Sequence, residues 1–418
     1  MFEAITPYNF WEGQNIPTGY KRSIYLEHIQ KFIGSALIKV ILGQRRVGKS
    51  YIMRMMISSL ITEQKIPAEN ILYLNMDLQP LGFIQDSNDL IKVIEVYRKT
   101  LKPQGRIYIF IDEVQEISGW EKTINSLSQD YQQEYEVFIT GSNANLLSKE
   151  LGTYLSGRFV SFEIFPFSYG EYLGFHQMPR NKQTLIDYLH LGGLPENYRL
   201  ADDEMRTNYI SSLKDSIILR DVVGRYHVRD ANLLETLANF ITDSIGSLFS
   251  IQSIVRYLTS HRYKTNVETI GNYLSFLAAA YYIYPCERYD IKGKKIFSSE
   301  KKYYLNDLAF KYLLTSSFDR GWSRYLENLI FIDLKRQGYT VYVGQIRGQE
   351  IDFVAERGAE RLYVQVCYIL ANEQVIEREF HNLTIIRDNY TKYVISLDDM
   401  TLNNYQGIKH VQAWDFLS

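Results

Sequence analysis

The eight residues from Gly43 to Ser50 constrain the fold of this chain more than any other segment. They read GQRRVGKS and fit the pattern G-x-x-x-x-G-K-S/T. A short apolar run, Ile38–Leu42, precedes them, and a helical pattern starts at Tyr51. A glycine-rich turn between a strand and a helix presents backbone N–H groups at the positive end of the helix, and this arrangement binds phosphate. The segment therefore predicts an α/β fold with a nucleotide-binding loop.

The positions of this loop have different expected roles. Lys49 would reach the β- and γ-phosphates of the nucleotide, and the Ser50 hydroxyl would bind Mg²⁺. Arg45 and Arg46 would contact phosphate or a neighbouring subunit, and the alternative is that both are solvated loop charges. The residues predicted to contact the nucleotide are Gly43, Arg45, Arg46, Val47, Gly48, Lys49, Ser50 and Tyr51.

Apolar runs alternate with helical patterns up to about residue 170, which is typical of a parallel sheet with crossover helices. Three of these runs end in polar residues, at the edge where open α/β sheets bind ligands. We therefore predict a parallel α/β sheet around the phosphate loop. The predicted strands are 38–42, 71–75, 107–111, 136–140 and 159–164.

Two acids, Asp112 and Glu113, directly follow the third predicted strand. Asp112 would hold Mg²⁺ through water, and Glu113 would polarise the water that attacks the γ-phosphate. Two acids at the end of an isolated strand can simply be solvated side chains. Because these two lie downstream of a phosphate loop, the sequence favours a catalytic pair instead, known as a Walker B motif.

Two further candidates belong to the later strands. The fourth strand ends in Thr140-Gly141-Ser142-Asn143, where Asn143 or Ser142 could contact the γ-phosphate, and a simple turn is the alternative. Arg158 precedes the fifth strand and could neutralise γ-phosphate charge within the chain or across a subunit interface. A surface arginine or a structural ion pair is the alternative. The predicted catalytic residues are Lys49, Asp112, Glu113, Asn143 and Arg158, with Ser50 and Asp112 as Mg²⁺ ligands.

Several segments together resemble one known family. GQRRVGKS, FIDEVQEISGW, TGSNA, LSGRFVSFEIFPFSYGEYL and GGLPE are similar to prokaryotic AAA-plus ATPases close to the archaeal, STAND-like clade, which carry a C-terminal domain of formerly unknown function. The resemblance covers nearly the whole chain and favours ATP over GTP. It implies an ATPase core (1–170), a helical lid (171–225), a winged helix (226–320) and a domain similar to PD-(D/E)xK nucleases (321–418). It also places residues 19–25 beside the adenine.

The predicted winged helix contains a basic stretch. Residues 250–258 and 266–277 have helical patterns, and residues 289–297 have the pattern of a hairpin. Between Arg256 and Lys302 there are nine Lys or Arg and four Asp or Glu, a local charge of +5 in a chain of net charge −2. Such a surface would bind DNA phosphates, and a packing or protein-contact role is the alternative. The residues expected near base edges are Lys264, Thr265 and Asn266.

The nuclease-like domain lacks two residues of a PD-(D/E)xK site, which uses two metal-binding acids and a lysine. Asp352 matches the first acid, and Glu327 could assist it. Gln365 stands at the second acid and Cys367 at the lysine. A thiol has no fixed positive charge, and an amide is a weaker Mg²⁺ ligand than a carboxylate. We therefore predict that this domain does not cut DNA.

Composition limits the remaining choices. No apolar stretch approaches the roughly 20 residues of a membrane-spanning helix, and no signal-peptide pattern begins the chain, so a cytoplasmic protein with no membrane partner is expected. The predicted function is a Mg²⁺-dependent ATPase that acts on duplex or branched DNA. A trans-acting Arg158 would require a ring-shaped homo-oligomer. The alternative function is a nucleotide-switched signalling or defence scaffold that acts on a protein partner.

Overall fold

The structure, a computed structural model, describes residues 1–14, 16–144, 157–315, 321–402 and 405–418. Leu155 and Ser156 of the segment LSGRFV lie outside these residues. The chain forms two compact units, Met1–Ile164 and Phe165–Ser418. The finer division at residues 170, 225 and 320 stays a prediction.

The first unit contains a five-stranded parallel sheet with the strand order β2-β3-β4-β1-β5. This confirms the predicted parallel α/β fold. The strands are β1 (Ile38–Leu42), β2 (Ile71–Asn75), β3 (Ile107–Asp112), β4 (Tyr135–Gly141) and β5 (Phe159–Glu163). The helices are α1 (Phe2–Ile5), α2 (Ser23–Gln30), α3 (Lys49–Thr62), α4 (Ser87–Leu101) and α5 (Trp120–Ser128).

The strand order determines which loops meet. Every residue of β1 and β3 is buried, as expected for central strands of a sheet covered on both faces. Leu42 pairs with Gly141, and Ile111 pairs with Ile139, so β1, β3 and β4 end at the same edge. The phosphate loop, the two acids at the end of β3 and the polar residues after β4 therefore lie together.

The second unit begins with helices and continues into a mixed eight-stranded sheet with the order β13-β12-β11-β10-β9-β7-β8-β6. Its α-helices are α6 (Tyr169–His176), α7 (Lys182–Leu191), α8 (Asp203–Ser216), α9 (Ala231–Asp243), α10 (Ile251–Ser260), α11 (Val267–Ala279), α12 (Ala309–Leu314), α13 (Trp322–Arg336), α14 (Glu373–Thr384) and α15 (Ala413–Phe416). Its strands are β6 (Leu248–Phe249), β7 (Ile283–Asp290), β8 (Lys295–Leu305), β9 (Thr340–Ile346), β10 (Gln349–Arg357), β11 (Glu360–Val366), β12 (Thr391–Ser396) and β13 (Lys409–Gln412). A π-helix, Ile217–Gly224, follows α8.

The basic stretch contains the two helices and the hairpin that its sequence pattern predicts. Ser250 caps α10 by accepting a hydrogen bond from the Ser253 N–H, and Asn266 caps α11 through the Thr269 N–H. Strands β7 and β8 form an antiparallel hairpin. However, β7 also pairs with β9, so strands on the two sides of the predicted boundary at residue 320 belong to one sheet. The winged-helix assignment stays a prediction.

In the parts of the chain that the structure describes, no helix has the length and apolar character needed to cross a membrane.

Candidate nucleotide-binding site

The phosphate loop closes around the first turn of α3. Gly43 has φ +146°, and a Cβ there would lie 2.3 Å from the Ile164 carbonyl oxygen, so no larger residue fits. Gly48 has φ +101°, a left-handed conformation that favours glycine. The buried Arg22 donates from Nη1 to the Val47 carbonyl at 3.0 Å. The loop is therefore fixed by its own glycines and by an arginine from the preceding segment.

Lys49 lies inside this loop. Its Nζ donates to the carbonyl oxygens of Gly43, at 3.1 Å, and Gln44, at 3.2 Å. The same ammonium lies 3.5 Å from Oε1 of Glu113, and both side chains are buried. The Lys49 ammonium is thus held between the loop and the end of β3, which are the two parts of the predicted site.

Asp112 is fully buried and is surrounded by hydroxyl groups. Thr140 donates to Oδ1 at 2.6 Å, Tyr73 donates to Oδ2 at 3.1 Å, and Ser50 also hydrogen-bonds to this carboxylate. Burial raises the pKa of Asp112 above its ordinary value, although the hydrogen bonds from Ser50 and Thr140 oppose the shift. A hydroxyl beside a carboxylate is the set of hard oxygen donors that Mg²⁺ prefers, so Ser50 and Asp112 fit this ion.

Glu113 adopts a left-handed backbone conformation, φ 56° and ψ 53°. Its N–H donates to Thr140 Oγ1 at 2.8 Å, and its carboxylate accepts from Gln115 Nε2. Burial alone would raise the pKa of Glu113. The Lys49 ammonium and the Gln115 hydrogen bond outweigh burial, so the pKa lies below its ordinary value. The group is therefore an ionised acceptor, suited to orienting a water molecule.

Ser142 and Asn143 follow β4 and are both buried. The Ser142 hydroxyl has no hydrogen-bond partner among the described residues. A buried polar atom without a protein partner is uncommon and often marks a position that binds a ligand or water. Both residues therefore stay candidates for contact with a γ-phosphate.

The predicted residues at the rim of the loop differ in their exposure and in their contacts. Arg45 is half-buried, and its charge helps to lower the pKa of Glu113. Arg46 is exposed. The Tyr51 ring lies against Gly19, and the Arg54 guanidinium lies 4.1 Å from its centroid. Residues 19–25 thus contact the loop, and their role at the adenine stays a prediction.

The structure does not bring Arg158 together with the other predicted catalytic residues. Its carbonyl oxygen accepts from the N–H of Ile38, the first residue of β1, at 2.9 Å. The five residues of β1 then separate this position from the phosphate loop, at about 3.3 Å per residue. The Arg158 side chain is exposed, and its Nη1 donates to Asn125 Oδ1 at 3.5 Å. The fold therefore gives no support to action within the chain, and action across a subunit interface stays a prediction.

Three residues that contact the two acids were not predicted. Thr140 hydrogen-bonds to both Asp112 and Glu113, Tyr73 donates to Asp112, and Gln115 donates to Glu113. Thr140 belongs to the motif TGSNA and Gln115 to the motif FIDEVQEISGW. Their position in these motifs, close to the predicted site residues, was the signal that could have identified them. Tyr73 lies on β2 and gave no local signal, because its contact depends on the pairing of β2 with β3.

The residues assigned to the predicted nuclease-like site lie around Lys302, which the sequence analysis counted only as a cation of the basic stretch. Lys302 Nζ lies 2.9 Å from Glu327 and 2.7 Å from Glu350. The Asp352 carboxylate accepts from the Val366 N–H at 2.7 Å. Burial, followed by the charge of Glu327, raises the pKa of Asp352 well above its ordinary value.

Gln365 and Cys367 are the residues that the sequence analysis assigned to the second acid and the lysine of a PD-(D/E)xK site, and that assignment stays a prediction. Gln365 Nε2 donates to Glu379 at 3.0 Å. Cys367 is buried, and burial raises the pKa of its thiol. No group of three or more His, Cys, Asp or Glu side chains in the described ranges is arranged to hold a metal ion. The absence of nuclease activity stays a prediction.

The comparison with protein families agrees with the architecture of the first unit. The sequence profile of the AAA domain matches residues 35–173, and the profile of a domain of unknown function, DUF8612, matches residues 182–320. Among solved structures, a Walker-type ATPase of Pyrococcus abyssi has a TM-score of 0.43 at 14% identity, covering 71% of this chain and 95% of that chain. The ADP form of the Aeropyrum pernix ORC2 protein has a TM-score of 0.37 at 12% identity, covering 66% and 90%. Both scores are too low to define a function.

Two relatives match most of the chain. An uncharacterized protein of Haemophilus influenzae is 36% identical over 402 residues, which cover 95% of this chain and 98% of the relative. An uncharacterized protein of Methanocaldococcus jannaschii is 31% identical over 359 residues, which cover 82% of this chain and 77% of the relative. The chain therefore belongs to one protein family with these bacterial and archaeal relatives, and its residues 35–173 form an AAA domain.

Proposed function

We propose that this protein binds ATP with Mg²⁺ at the loop Gly43–Ser50 and hydrolyses it to drive a conformational change on bound DNA. The observation that supports hydrolysis is the convergence of Lys49, Asp112 and Glu113 at one sheet edge. Lys49 lies 3.5 Å from Glu113, and Thr140 holds both acids. These groups are the charge partners that phosphoryl transfer requires.

Each group has a defined role in this proposal. The Lys49 ammonium binds the β- and γ-phosphate oxygens, and Ser50 and Asp112 hold Mg²⁺, which neutralises phosphate charge when bound. The Glu113 carboxylate orients the attacking water. Asn143 or Ser142 contacts the γ-phosphate from the end of β4.

The ATPase proposal is tested by phosphate release with Mg²⁺ and with excess chelator. The Glu113→Gln protein should keep the wild-type affinity for ATP. Its rate of ATP hydrolysis should fall by at least about 100-fold, because the amide is a poor acceptor for the water proton. Glu116→Gln, a change of an exposed glutamate in the same turn, is the matched control and should behave as the wild type. No Mg²⁺-dependent hydrolysis by the wild type would refute the proposal, and unchanged turnover in Glu113→Gln would remove this residue from its role.

The DNA part of the proposal is based on the charges of the basic stretch. Three of its nine cations form ion pairs: Arg288 with Glu300, Lys301 with Glu287, and Lys302 with Glu327 and Glu350. The other six are exposed and have no ion pair within the described parts of the chain. They are Arg256, Arg262, Lys264, Lys292, Lys294 and Lys295. Exposed cations without acidic partners are suited to binding phosphates.

Gel shifts with duplex, forked and four-way DNA test this part. Replacing Lys292, Lys294 and Lys295 of the hairpin by alanine should weaken binding and reduce the slope of log affinity against log salt by about three. The matched control replaces Lys92, Lys99 and Lys102 of the first unit, which removes the same charge. Equal losses in both triple variants, or no binding to any of the three DNAs, would contradict the DNA role. In the second case a nucleotide-switched scaffold would be the better account.

A further inference from the structure

The turn that follows Glu113 holds a glutamine in a fixed position. Gln115 lies in a 3-10 turn, Val114–Glu116. The N–H of Glu116 donates back to the Glu113 carbonyl at 3.1 Å. Farther along, the Ser118 N–H donates to the Gln85 carbonyl at 2.8 Å, which fastens the end of the turn to the segment before α4. The Gln115 side chain therefore extends from a rigid backbone.

The two halves of the Gln115 amide have different environments. Nε2 donates to Oε2 of Glu113. The opposite orientation would set two acceptors against each other, so the contact with a carboxylate fixes which end is nitrogen. Oε1 is then buried and has no hydrogen-bond partner among the described residues. A buried carbonyl oxygen without a hydrogen-bond partner is uncommon in folded proteins, so this position calls for an explanation.

The carboxylate that Gln115 contacts is held in place from several sides. Glu113 is a non-glycine residue with φ 56°, and such backbone strain is typical of functional positions. Its N–H is fixed by Thr140, and its carboxylate is fixed by Lys49 and Gln115. Rigid placement of this kind favours the orientation of a small nucleophile.

We propose that Gln115 is a second water-positioning residue, with Oε1 accepting one O–H of the attacking water while Glu113 accepts the other. This inference rests on the proposed ATPase function. In the reaction, the water oxygen bonds to the γ-phosphorus, and the bond from that phosphorus to the β–γ bridging oxygen breaks. The proton lost by the water passes to Glu113 and then to solvent, and the products are ADP and inorganic phosphate. The neutral amide orients the water without competing for this proton.

Gln115→Met tests the proposal, because methionine has a similar length and lacks both amide atoms. The kcat of phosphate release should fall by about 100-fold, while the affinity for ADP stays unchanged. The affinity for ADP–aluminium fluoride, which imitates the phosphoryl group together with the attacking water, should fall by a similar factor. Gln132→Met, a change of an exposed glutamine on the same unit, is the matched control and should alter none of these values.

Unchanged kcat in Gln115→Met would overturn the proposal. So would an equal loss of ADP affinity and kcat, which indicates a structural role, or a lower kcat with unchanged affinity for ADP–aluminium fluoride. If Gln115→Met does not fold, the same measurements are made on Gln115→Asn, with the same expected results. The shorter amide of asparagine cannot reach both Glu113 and the water. An inactive wild type would refute the ATPase proposal itself, whereas an active wild type with normal Gln115 variants would refute only this inference.

Discussion

Two buried lysines, one in each unit, lie beside carboxylates but are held differently. Lys49 hydrogen-bonds to two loop carbonyls and lies 3.5 Å from a single acid, Glu113. Lys302 lies within 2.9 Å of Glu327 and 2.7 Å of Glu350. The charge of Lys302 is therefore neutralised by the protein itself, whereas Lys49 has contacts that phosphate oxygens can replace.

This difference separates a binding group from a structural one. The acids around Lys302 raise its pKa above the ordinary lysine value in spite of burial, so it stays charged and paired. Breaking such a buried pair leaves an uncompensated charge. Lys49 directly follows Gly48 of the phosphate loop and is the first residue of α3. The N-terminus of a helix favours a negatively charged ligand. Substitutions of the two lysines test this distinction, and substitutions of Thr140 and Asp307 extend it to the buried carboxylates of the two units.

Lys302→Met should destabilise the second unit by about 3–5 kcal/mol, because Glu327 and Glu350 would lose their buried partner. Hydrogen exchange of β8 and β10 peptides in a urea series would measure the loss, and the affinity for Mg²⁺ and ATP should not change. Adding Glu327→Gln should restore part of the stability, since it removes one of the two stranded charges. Stability equal to the wild type would show that Lys302 is not a structural counter-charge.

Lys49→Met should lower the affinity for ATP by about 100-fold, equivalent to about 2.7 kcal/mol. Its effect on stability should be smaller than that of Lys302→Met, because it leaves one carboxylate, Glu113, without its counter-charge and not two. A fluorescent nucleotide titration measures the affinity, and the Lys302→Met protein is the comparison. Wild-type affinity in Lys49→Met would reverse the distinction between the two lysines.

Thr140→Val should leave ATP affinity nearly unchanged and reduce turnover, because valine cannot donate to Asp112 or accept from the Glu113 N–H. The lost hydrogen bonds should also cost about 1–3 kcal/mol of stability in the first unit. Phosphate release and hydrogen exchange of β3 and β4 peptides measure the two effects. Normal turnover would show that the acids keep their geometry without Thr140.

Asp307 extends the comparison to a buried acid of the second unit. It accepts from the N–H groups of Gly193, at 2.7 Å, and Ala309, at 2.8 Å, and burial raises its pKa to about 7. The unfolded value is about 3.9, so between these values the folded protein binds more protons and the free energy of unfolding falls as pH rises. The slope is at most about 1.4 kcal/mol per pH unit and levels off above pH of about 7.

Asp307→Asn should remove this slope, because an amide does not titrate. Hydrogen exchange of α12 peptides in urea, compared across this pH range, measures the difference from the wild type. An identical pH dependence in the two proteins would assign the titration to another group.

The parallel sheet was predictable because strands covered on both faces appear in the sequence as uninterrupted apolar runs. The runs 38–42 and 71–75 became β1 and β2 with the same bounds. The phosphate loop and the two acids at the end of β3 were also predictable, because their spacing defines local motifs. The contacts of Tyr73 with Asp112 and of Lys302 with Glu327 were not, since each joins residues that are distant in sequence.

Arg158 shows a different limit of the sequence prediction. It precedes β5, and parallel strands begin at the edge opposite to the one where their ligand-binding loops lie. A residue just before a strand of this sheet is therefore far from the loop that follows β1. Its position just before the fifth strand suggested Arg158, but the direction of that strand places it away from the phosphate loop.

The central claim is that the chemistry of this chain takes place at Lys49 and Glu113 and not at the acids around Lys302. Its most direct test is the rate of phosphate release from Mg²⁺-bound ATP by the wild type and by Asp352→Asn, with Glu113→Gln as the inactive reference. We predict that Asp352→Asn releases phosphate at the wild-type rate. A wild type as slow as Glu113→Gln, or an Asp352→Asn protein that loses turnover while it keeps its fold, would contradict the claim.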